Sequence, residues 1–244
     1  MDPSLALAAA GLRARVESLE VLGNNIANAN TVGFKADREF YNLYVGLEAE
    51  AGAFGDVAAM PVVEGSAVDF AQGVLTPTGG PLDLALSGPG FFAVSTGQGV
   101  LYTRNGSFQR SPDGRLQTQE GFAVLGADGP LQLGPGEVRI ADDGSVSVEG
   151  QPAGQLQLVE FASASSLAKV GRSYFRAIDA QPPTAATRAM VRQGQLEAAN
   201  VNAAEAAVRL VSVGRQFEML SRAASLVANE MNRRAIEELP RAGN

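Results

Sequence analysis

The stretch Gly23–Phe34, GNNIANANTVGF, marks the point at which a predicted helix stops and the chain turns. Four asparagines fall within seven positions, at Asn24, Asn25, Asn28 and Asn30. Asparagine is a mediocre helix former, because its amide competes for backbone hydrogen bonds. Asn30 and Gly33 both tolerate left-handed backbone, so either can end a helix. The sequence therefore predicts a helix before this stretch and a sharp exit from it.

Upstream of the turn, from Ser4 to about Ala29, apolar residues recur every seven positions. They are Leu5, Leu12, Leu19 and Ile26, with Ala9 and Val16 between them. Charged residues stand off this stripe. The spacing predicts an amphipathic N-terminal helix.

A second, longer helix is predicted at the C-terminal end. Asn202 suits the N-cap, with Glu205 as its capping-box partner. A seam with 3-4 spacing follows: Ala203, Ala206, Leu210, Val213, Phe217, Leu220, Ala224, Val227 and Met231. Such a seam over about four repeats is typical of a coiled coil. We expect a helix of about 35 residues, about 50 Å long at about 1.5 Å per residue.

Between the helices, roughly from residue 75 to 190, short apolar runs alternate with turn signals. The tight-turn dipeptides are Asn105-Gly106, Asp113-Gly114, Asp128-Gly129 and Asp143-Gly144. Intervening runs such as FFAVS, EVRIA and SVSVE are interpreted as strands that alternate apolar with polar residues, and PLDLALSG as the strand that enters the region. Regular turns of this kind favour an antiparallel sandwich or barrel-like domain.

The predicted fold class is α+β. The N- and C-terminal helices form a coiled-coil-like pair, and an antiparallel all-β domain is inserted between them. We expect four zones: 1–35, the N-terminal helix; 36–74, an extended linker or loop; 75–192, the β-rich domain; and 193–244, the long C-terminal helix and tail.

Composition excludes several classes of function. A formal net charge of −7 and a pI near 4.8 argue against nucleic acid as a partner. The chain has no cysteine and no histidine, so thiol catalysis and thiolate metal sites are excluded and the commonest general base is missing. No apolar run approaches the about 18 residues of a membrane span. The N-terminus is also a poor secretory signal, since Asp2 stands where a basic region belongs.

The alanine-rich seams bury little area per turn, so a lone pair of these helices is marginal in water. Packing against neighbouring copies would supply the missing burial. The sequence thus predicts assembly.

Four motifs resemble the axial proteins of the bacterial flagellum, the family of rod, hook and hook-associated proteins. They are NNIANANTVGFK from Asn24, LDLALSGPGFFAV from Leu82, YTRNGSF from Tyr102 and GQLEAANVNAAEA from Gly194. The motifs stand in the family's order and cover most of the chain. Ala199 departs from the usual serine of the last one.

The resemblance implies a structural subunit and no enzyme, with no catalytic, cofactor-binding or metal-binding residue. Length and texture favour a rod subunit within the family. The opening MDPSL and the run from Val124 to Phe161 resemble the proximal-rod type, with the distal-rod type as the alternative. The resemblance implies export through the flagellar type III apparatus without a cleaved signal, and assembly into a periplasmic tube. The expected partners are the export apparatus, other rod subunits and further copies of the chain, with neither nucleic acid nor membrane insertion.

With the resemblance, we interpret the asparagine row as part of an assembly interface. Asn24 and Asn28 are four apart, on one helix face, and their amides both donate and accept. The predicted interface comprises Leu5, Leu12, Leu19, Asn24, Asn25, Ile26, Asn28, Gly33, Phe34, Leu210, Val213, Phe217, Leu220 and Val227. The competing interpretation is plain capping of the helix by Asn30.

Three short patterns match motifs of other chemistry, but we interpret them as a surface loop, a turn between strands and a turn. Ser166 and Lys169 match the S-x-x-K nucleophile motif of penicillin-binding enzymes, and Gly88 to Ala93 fits G-x-G-x-x-A. Asp142-Asp143 is a possible carboxylate pair, although adjacent strand residues face opposite sides. A binding module that uses its helices for dimerisation is a further alternative.

Overall fold

The computed structural model describes residues 3–44, 60–178 and 182–237. A helix stands at each end: α1 spans Pro3–Ala27 and α2 spans Ala203–Glu237, with 25 and 35 residues. Between the helices lie nineteen described strands and one short 3₁₀ helix, Ala164–Ser166. The fold is α+β, as predicted, and α2 begins directly after Asn202, the expected N-cap.

The strands, in chain order, are β1 Asp37–Tyr44, β2 Met60–Val68, β3 Leu75–Pro77, β4 Leu84–Ser87, β5 Phe91–Thr96, β6 Gly99–Thr103, β7 Phe108–Arg110, β8 Leu116–Thr118, β9 Ala123–Gly126, β10 Gly129–Pro130, β11 Val138–Ile140, β12 Ser145–Val148, β13 Gln151–Gln155, β14 Leu158–Glu160, β15 Leu167–Val170, β16 Tyr174–Ala177, β17 Thr184–Ala185, β18 Met190–Gln193 and β19 Gln195–Glu197.

The chain divides into two compact units. The β unit contains the described residues of Ala27–Asp37 and Val68–Asn202. The terminal unit contains those of Met1–Ile26, Arg38–Ala67 and Ala203–Asn244, and therefore both helices. Residues 27–37, which include the last residue of α1, belong to the β unit.

In the β unit, antiparallel pairing joins the strands into one large and three small sheets. The main path of the ten-stranded sheet runs β15-β16-β6-β5-β9-β8-β7, and β10, β14 and β17 pair beside it. A three-stranded sheet, β11-β12-β13, and the pairs β18-β4 and β19-β3 complete the unit. Gln193 links two of these sheets, since its amide accepts from Ile140 N at 3.1 Å and donates to Val138 O at 2.9 Å.

The core lies on both faces of the large sheet. Successive side chains of β5 point to opposite faces, so Phe92 and Val94 enter one hydrophobic cluster while Phe91 and Ala93 enter the other. The prediction that FFAVS alternates apolar with polar is therefore wrong, because its first four residues are buried. A strand covered on both faces is a continuous apolar run.

Three of the four predicted turn dipeptides join neighbouring antiparallel strands. Gly114, Gly129 and Gly144 each have positive φ, at 85°, 122° and 84°. The prediction is wrong for Asn105-Gly106, which connects β6 to β7, strands that are not neighbours in the sheet. Gly106 is instead a site of close approach, where a Cβ would stand 1.7 Å from Leu84 O.

The predicted linker 36–74 contains β1 and β2, which pair with each other as a two-stranded sheet. The part of the linker between residues 45 and 59, and the tail beyond Glu237, lie outside the described residues. Neither helix in the described ranges is long and apolar enough to cross a membrane.

Candidate functional site: a buried charge cluster

Three charged side chains meet inside the β unit. Lys35 and Glu197 are fully buried and Arg104 is 4% exposed. Lys35 Nζ lies 2.6 Å from Glu197 Oε1, and Arg104 Nη1 lies 3.2 Å from Glu197 Oε2. We call these three residues the buried charge cluster. Each oxygen of the one carboxylate thus carries its own cation.

The cluster is tied to the surrounding backbone. Lys35 Nζ also donates to Ala71 O at 2.7 Å, and Gly73 N donates to Glu197 Oε1 at 2.8 Å. Arg104 donates to Gly88 O at 2.8 Å and to Leu86 O at 3.4 Å. These bonds are needed, because a buried charge is costly unless it is both paired and hydrogen-bonded.

Burial lowers the pKa of Lys35 below its usual value, and the nearby Arg104 cation adds to this lowering, while Glu197 opposes it. Burial likewise lowers the pKa of Arg104 against the opposing effect of Glu197. Glu197 is therefore the group that makes two buried cations tolerable. Its oxygens are occupied by structural hydrogen bonds, so the arrangement suits holding segments together rather than proton transfer.

Gly33 brings the segment after α1 close enough for this pairing. Its N–H donates to Glu197 O at 2.8 Å, and its φ is +66°. A Cβ at this position would stand 2.3 Å from Asn105 N. Only glycine combines this backbone with this approach. Phe34 follows, fully buried.

The segment after α1 and the segment before α2 are thus held side by side in the β unit. Ala36 N donates to Asn200 Oδ1 at 2.7 Å, and Asn200 N donates to Phe34 O at 3.4 Å. Asn200 Nδ2 donates to Asp69 O at 2.8 Å. The points at which the chain enters and leaves the β unit are therefore neighbours.

The four motifs of the sequence converge here. Lys35 ends the first motif, Leu86 and Gly88 belong to the second, Arg104 to the third and Glu197 to the fourth. Sequence reasoning missed the cluster, because its members are separated by 93 and 162 positions. One signal was present: each of the three is a charged residue within a motif of mostly small, apolar and amide residues.

The predicted interface residues of α1 are placed on and beside its buried side. Leu12, Leu19 and Ile26 are half-buried, and the side chain of Leu5 lies outside the described residues. The deeper positions are Ser18 and Asn25, each one residue before a predicted stripe residue, and Ala14, two residues after Leu12. Asn28 is also buried, with its Oδ1 accepting from Thr31 Oγ1 at 3.3 Å, whereas Asn24 is exposed. Asn24 and Asn28 therefore differ in environment.

On α2 the predicted seam coincides with the less exposed side. Ala206 is buried and five further seam residues are half-buried: Leu210, Val213, Phe217, Leu220 and Ala224. Val227 is 41% exposed, and Ala228 takes the half-buried position there. A second row of large apolar residues is exposed at Val208, Val211, Met219 and Leu226. Val208, Val211 and Met219 also line a surface pocket.

The other candidate chemistries find structural explanations. Lys169 Nζ donates to Asp37 Oδ2 and Lys35 O, at 2.8 and 2.9 Å, so its amine is engaged by these two acceptors rather than by Ser166. Phe91 to Ala93 lie in strand β5, where a dinucleotide site needs a helix. Asp142 pairs with Arg192, and Asp143 Oδ1 accepts from Ser145 N in a turn.

Family models match three parts of the chain. Residues 5–35 match "Flagella basal body rod protein", residues 85–148 match "Flagellar hook protein FlgE/F/G D1 domain", and residues 192–238 match "Flagellar basal body rod FlgEFG protein C-terminal".

Full-length relatives agree with these matches. The chain is 37% identical to the flagellar basal-body rod protein FlgF of Caulobacter vibrioides, over 91% of both chains. It is 33% identical to FlgF of Mesorhizobium japonicum, over 89% of this chain and 90% of the relative. Identity to the rod protein FlgG of Caulobacter vibrioides is 32%, over 91% and 94%.

Proposed function

The chain belongs to the family of flagellar basal-body rod proteins, and on that premise we propose that it builds the rod by packing its terminal helices against neighbouring subunits. As a member of the family, it is a structural subunit of the basal-body rod. The proposal concerns how such a subunit joins its neighbours, where it is placed and which residues form the contact.

The observation that carries the proposal is that α2 has two apolar sides, one sheltered and one exposed. One side, from Ala206 to Ala224, is sheltered within the chain, yet the row Val208, Val211, Met219 and Leu226 is exposed. Met219 is 63% and Leu226 is 69% exposed. Large exposed apolar side chains in rows mark interaction surfaces. A subunit of a tube needs such a second face, because each copy must contact several others.

The predicted interface residues divide between two roles under this proposal. The seam residues Leu12, Leu19, Ile26, Leu210 and Phe217, with Asn25 and Asn28, stabilise the subunit. Val227 and Asn24, which are exposed, take part in contacts between subunits. Gly33, which packs closely on the backbone of Arg104 and Asn105, and the fully buried Phe34 stabilise the β unit.

We further propose export without a cleaved signal through the flagellar type III apparatus, and a place in the periplasmic part of the rod. The proximal-rod position is favoured over the distal one, since identity to FlgF of Caulobacter vibrioides exceeds identity to FlgG of the same organism. The proposed role is structural rather than enzymatic. The commitment of Lys169 to Asp37 supports this against the acyl-serine alternative.

The test is a pair of charge substitutions on α2 in cells whose own copy of the gene is deleted. Met219→Asp places a carboxylate in the exposed apolar row, whereas Ser221→Asp places one at another exposed position two residues away. Burying a methionine contributes about 1.5–3 kcal/mol, so we expect Met219→Asp to weaken each contact about tenfold or more and to abolish swimming.

Ser221→Asp should swim like wild type, and purified protein of both variants should show the helical content of wild type by circular dichroism. Normal swimming of Met219→Asp would refute the proposed contact. A closed dimer that never forms a longer polymer would favour the binding-module alternative.

A further inference from the structure

The chain has two lysines, and both hold the same short segment. We call residues 33–37 the strap. Lys35 belongs to the strap and fixes it from inside, through the buried charge cluster. Lys169 reaches the strap from β15, an edge strand of the large sheet, and binds it from the other side.

Lys169 makes three contacts with the strap. Its Nζ donates to Asp37 Oδ2 at 2.8 Å and to Lys35 O at 2.9 Å, and it stands 4.1 Å from the centroid of the Phe34 ring. The side chains of Lys169 and Asp37 are 17% and 18% exposed. A charge-assisted pair that is mostly shielded from water is stronger than an exposed one, and the cation over the ring adds to it.

The buried charge cluster and the Lys169 contacts differ in the consequence of their loss. The buried charge cluster has backbone partners throughout the β unit, so breaking it exposes buried charge and threatens the fold. The described contacts of the Lys169 side chain are with strap residues, and they lie at an edge of the sheet. Loss of Lys169 would therefore loosen the end of the strap at Ala36 and Asp37 and leave both hydrophobic clusters intact.

The strap ends where β1 begins, at Asp37. We propose that Lys169 is a positioning residue that locks the strap and thereby fixes the place at which the chain leaves the β unit. A polymer requires every copy to leave its β unit in the same way, so the lock is needed for assembly. The requirement for assembly rests on the proposed function, whereas the positioning role of Lys169 concerns the isolated subunit.

Hydrogen exchange on the purified full chain tests the positioning role of Lys169. Lys169→Met removes the charge and keeps an apolar stem of similar length. The matched control, Arg172→Met, removes a charge from an exposed position three residues away. We expect exchange of the Ala36 amide, which lies between the two Lys169 acceptors Lys35 O and Asp37 Oδ2, to accelerate about tenfold in Lys169→Met. Exchange in β4 and β5 should not change, nor should exchange of the strap in Arg172→Met.

A double-mutant comparison assigns the effect to the pair. Asp37→Ala should accelerate strap exchange, and Asp37→Ala with Lys169→Met should add little to either single change. Additive effects, unchanged strap exchange in Lys169→Met, or equal acceleration in β4 and β5 would overturn the lock.

Swimming of complemented deletion cells tests whether assembly requires the positioning role of Lys169. Lys169→Met should reduce the swimming halo strongly although its thermal unfolding stays near that of wild type, and Arg172→Met should swim normally. Faster strap exchange with normal swimming would overturn the positioning role in assembly. That result would not contradict the proposed function, because the comparison of Met219→Asp with Ser221→Asp tests the proposed function separately.

Discussion

At the scale of single residues, the fully buried carboxylate of Glu197 is the centre of the buried charge cluster. It neutralises two buried cations and also accepts from Gly73 N. Its position at the end of β19 brings the last motif of the sequence against the first. A buried ion pair adds little net stability by itself, but removal of one partner leaves uncompensated charge.

Glu197→Gln should therefore destabilise the β unit by about 3 kcal/mol or more, measured by urea unfolding. The amide cannot accept from both cations, and Lys35 and Arg104 stay buried. The control is Glu160→Gln, which breaks the pair of Glu160 with the exposed Arg188 and should cost less than about 1 kcal/mol. Equal, small losses in the two variants would contradict the account of the cluster.

The residue scale is also where sequence reasoning was least complete. The sequence predicts Gly33 and Phe34 as interface residues, and both are buried. Lys35, the next residue, was not predicted, since its partners come from distant parts of the chain. Local patterns report which face a residue occupies, but they do not report which charged residues meet across a fold.

At the scale of elements, the helices could be predicted well and the strands in part. The C-terminal helix has the expected length and sheltered side, because heptad spacing and a cap fix both. In α1 the deepest positions are small or polar, Ala14, Ser18 and Asn25, which a search for leucines does not find. Asn105-Gly106 shows that a turn dipeptide also serves where backbones pass closely.

One side-chain contact joins a turn to a strand of the large sheet. Tyr174 of β16 donates its hydroxyl to Glu120 Oε2 at 2.5 Å, next to the turn between β8 and β9. Burial raises the pKa of Tyr174, and Glu120 adds to this. Burial alone would raise the pKa of Glu120, but hydrogen bonds from Tyr174 and the backbone outweigh it and lower that pKa.

These shifts predict the pH dependence of stability. The Tyr174 contribution is fully present below its usual pKa of 10.0 and is lost as pH rises through the raised value. The Glu120 contribution is present above 4.5 and is lost as pH falls through the lowered value. Tyr174→Phe should therefore flatten both the acid and the alkaline decline in melting temperature.

Tyr102→Phe is the matched comparison. The pKa of Tyr102 is raised by burial, with no carboxylate among the causes, so this variant should alter the alkaline decline alone. Melting curves recorded across the pH range for wild type and both variants decide the matter. An unchanged acid decline in Tyr174→Phe would count against the link to Glu120.

At the scale of the whole molecule, the order of elements follows from the sequence and the assembly does not. Two heptad segments flanking a region rich in turns predicted terminal helices around an inserted β domain, which is the fold observed. The sequence did not predict an interface at the exposed row Val208, Val211, Met219 and Leu226. Such a row can be recognised only when the structure shows which side of α2 is buried within the chain. Charge and composition argue against nucleic acid as a partner, but they do not identify the contact between subunits.

Isolation of basal bodies tests most directly that this chain is a structural subunit of the basal-body rod. They would be purified from cells with the gene, without it, and without it but complemented. The account predicts that the chain is recovered in the rod when the gene is present or restored, and that rods are missing or incomplete when it is deleted. Complete rods and normal swimming in the deletion cells would contradict the account.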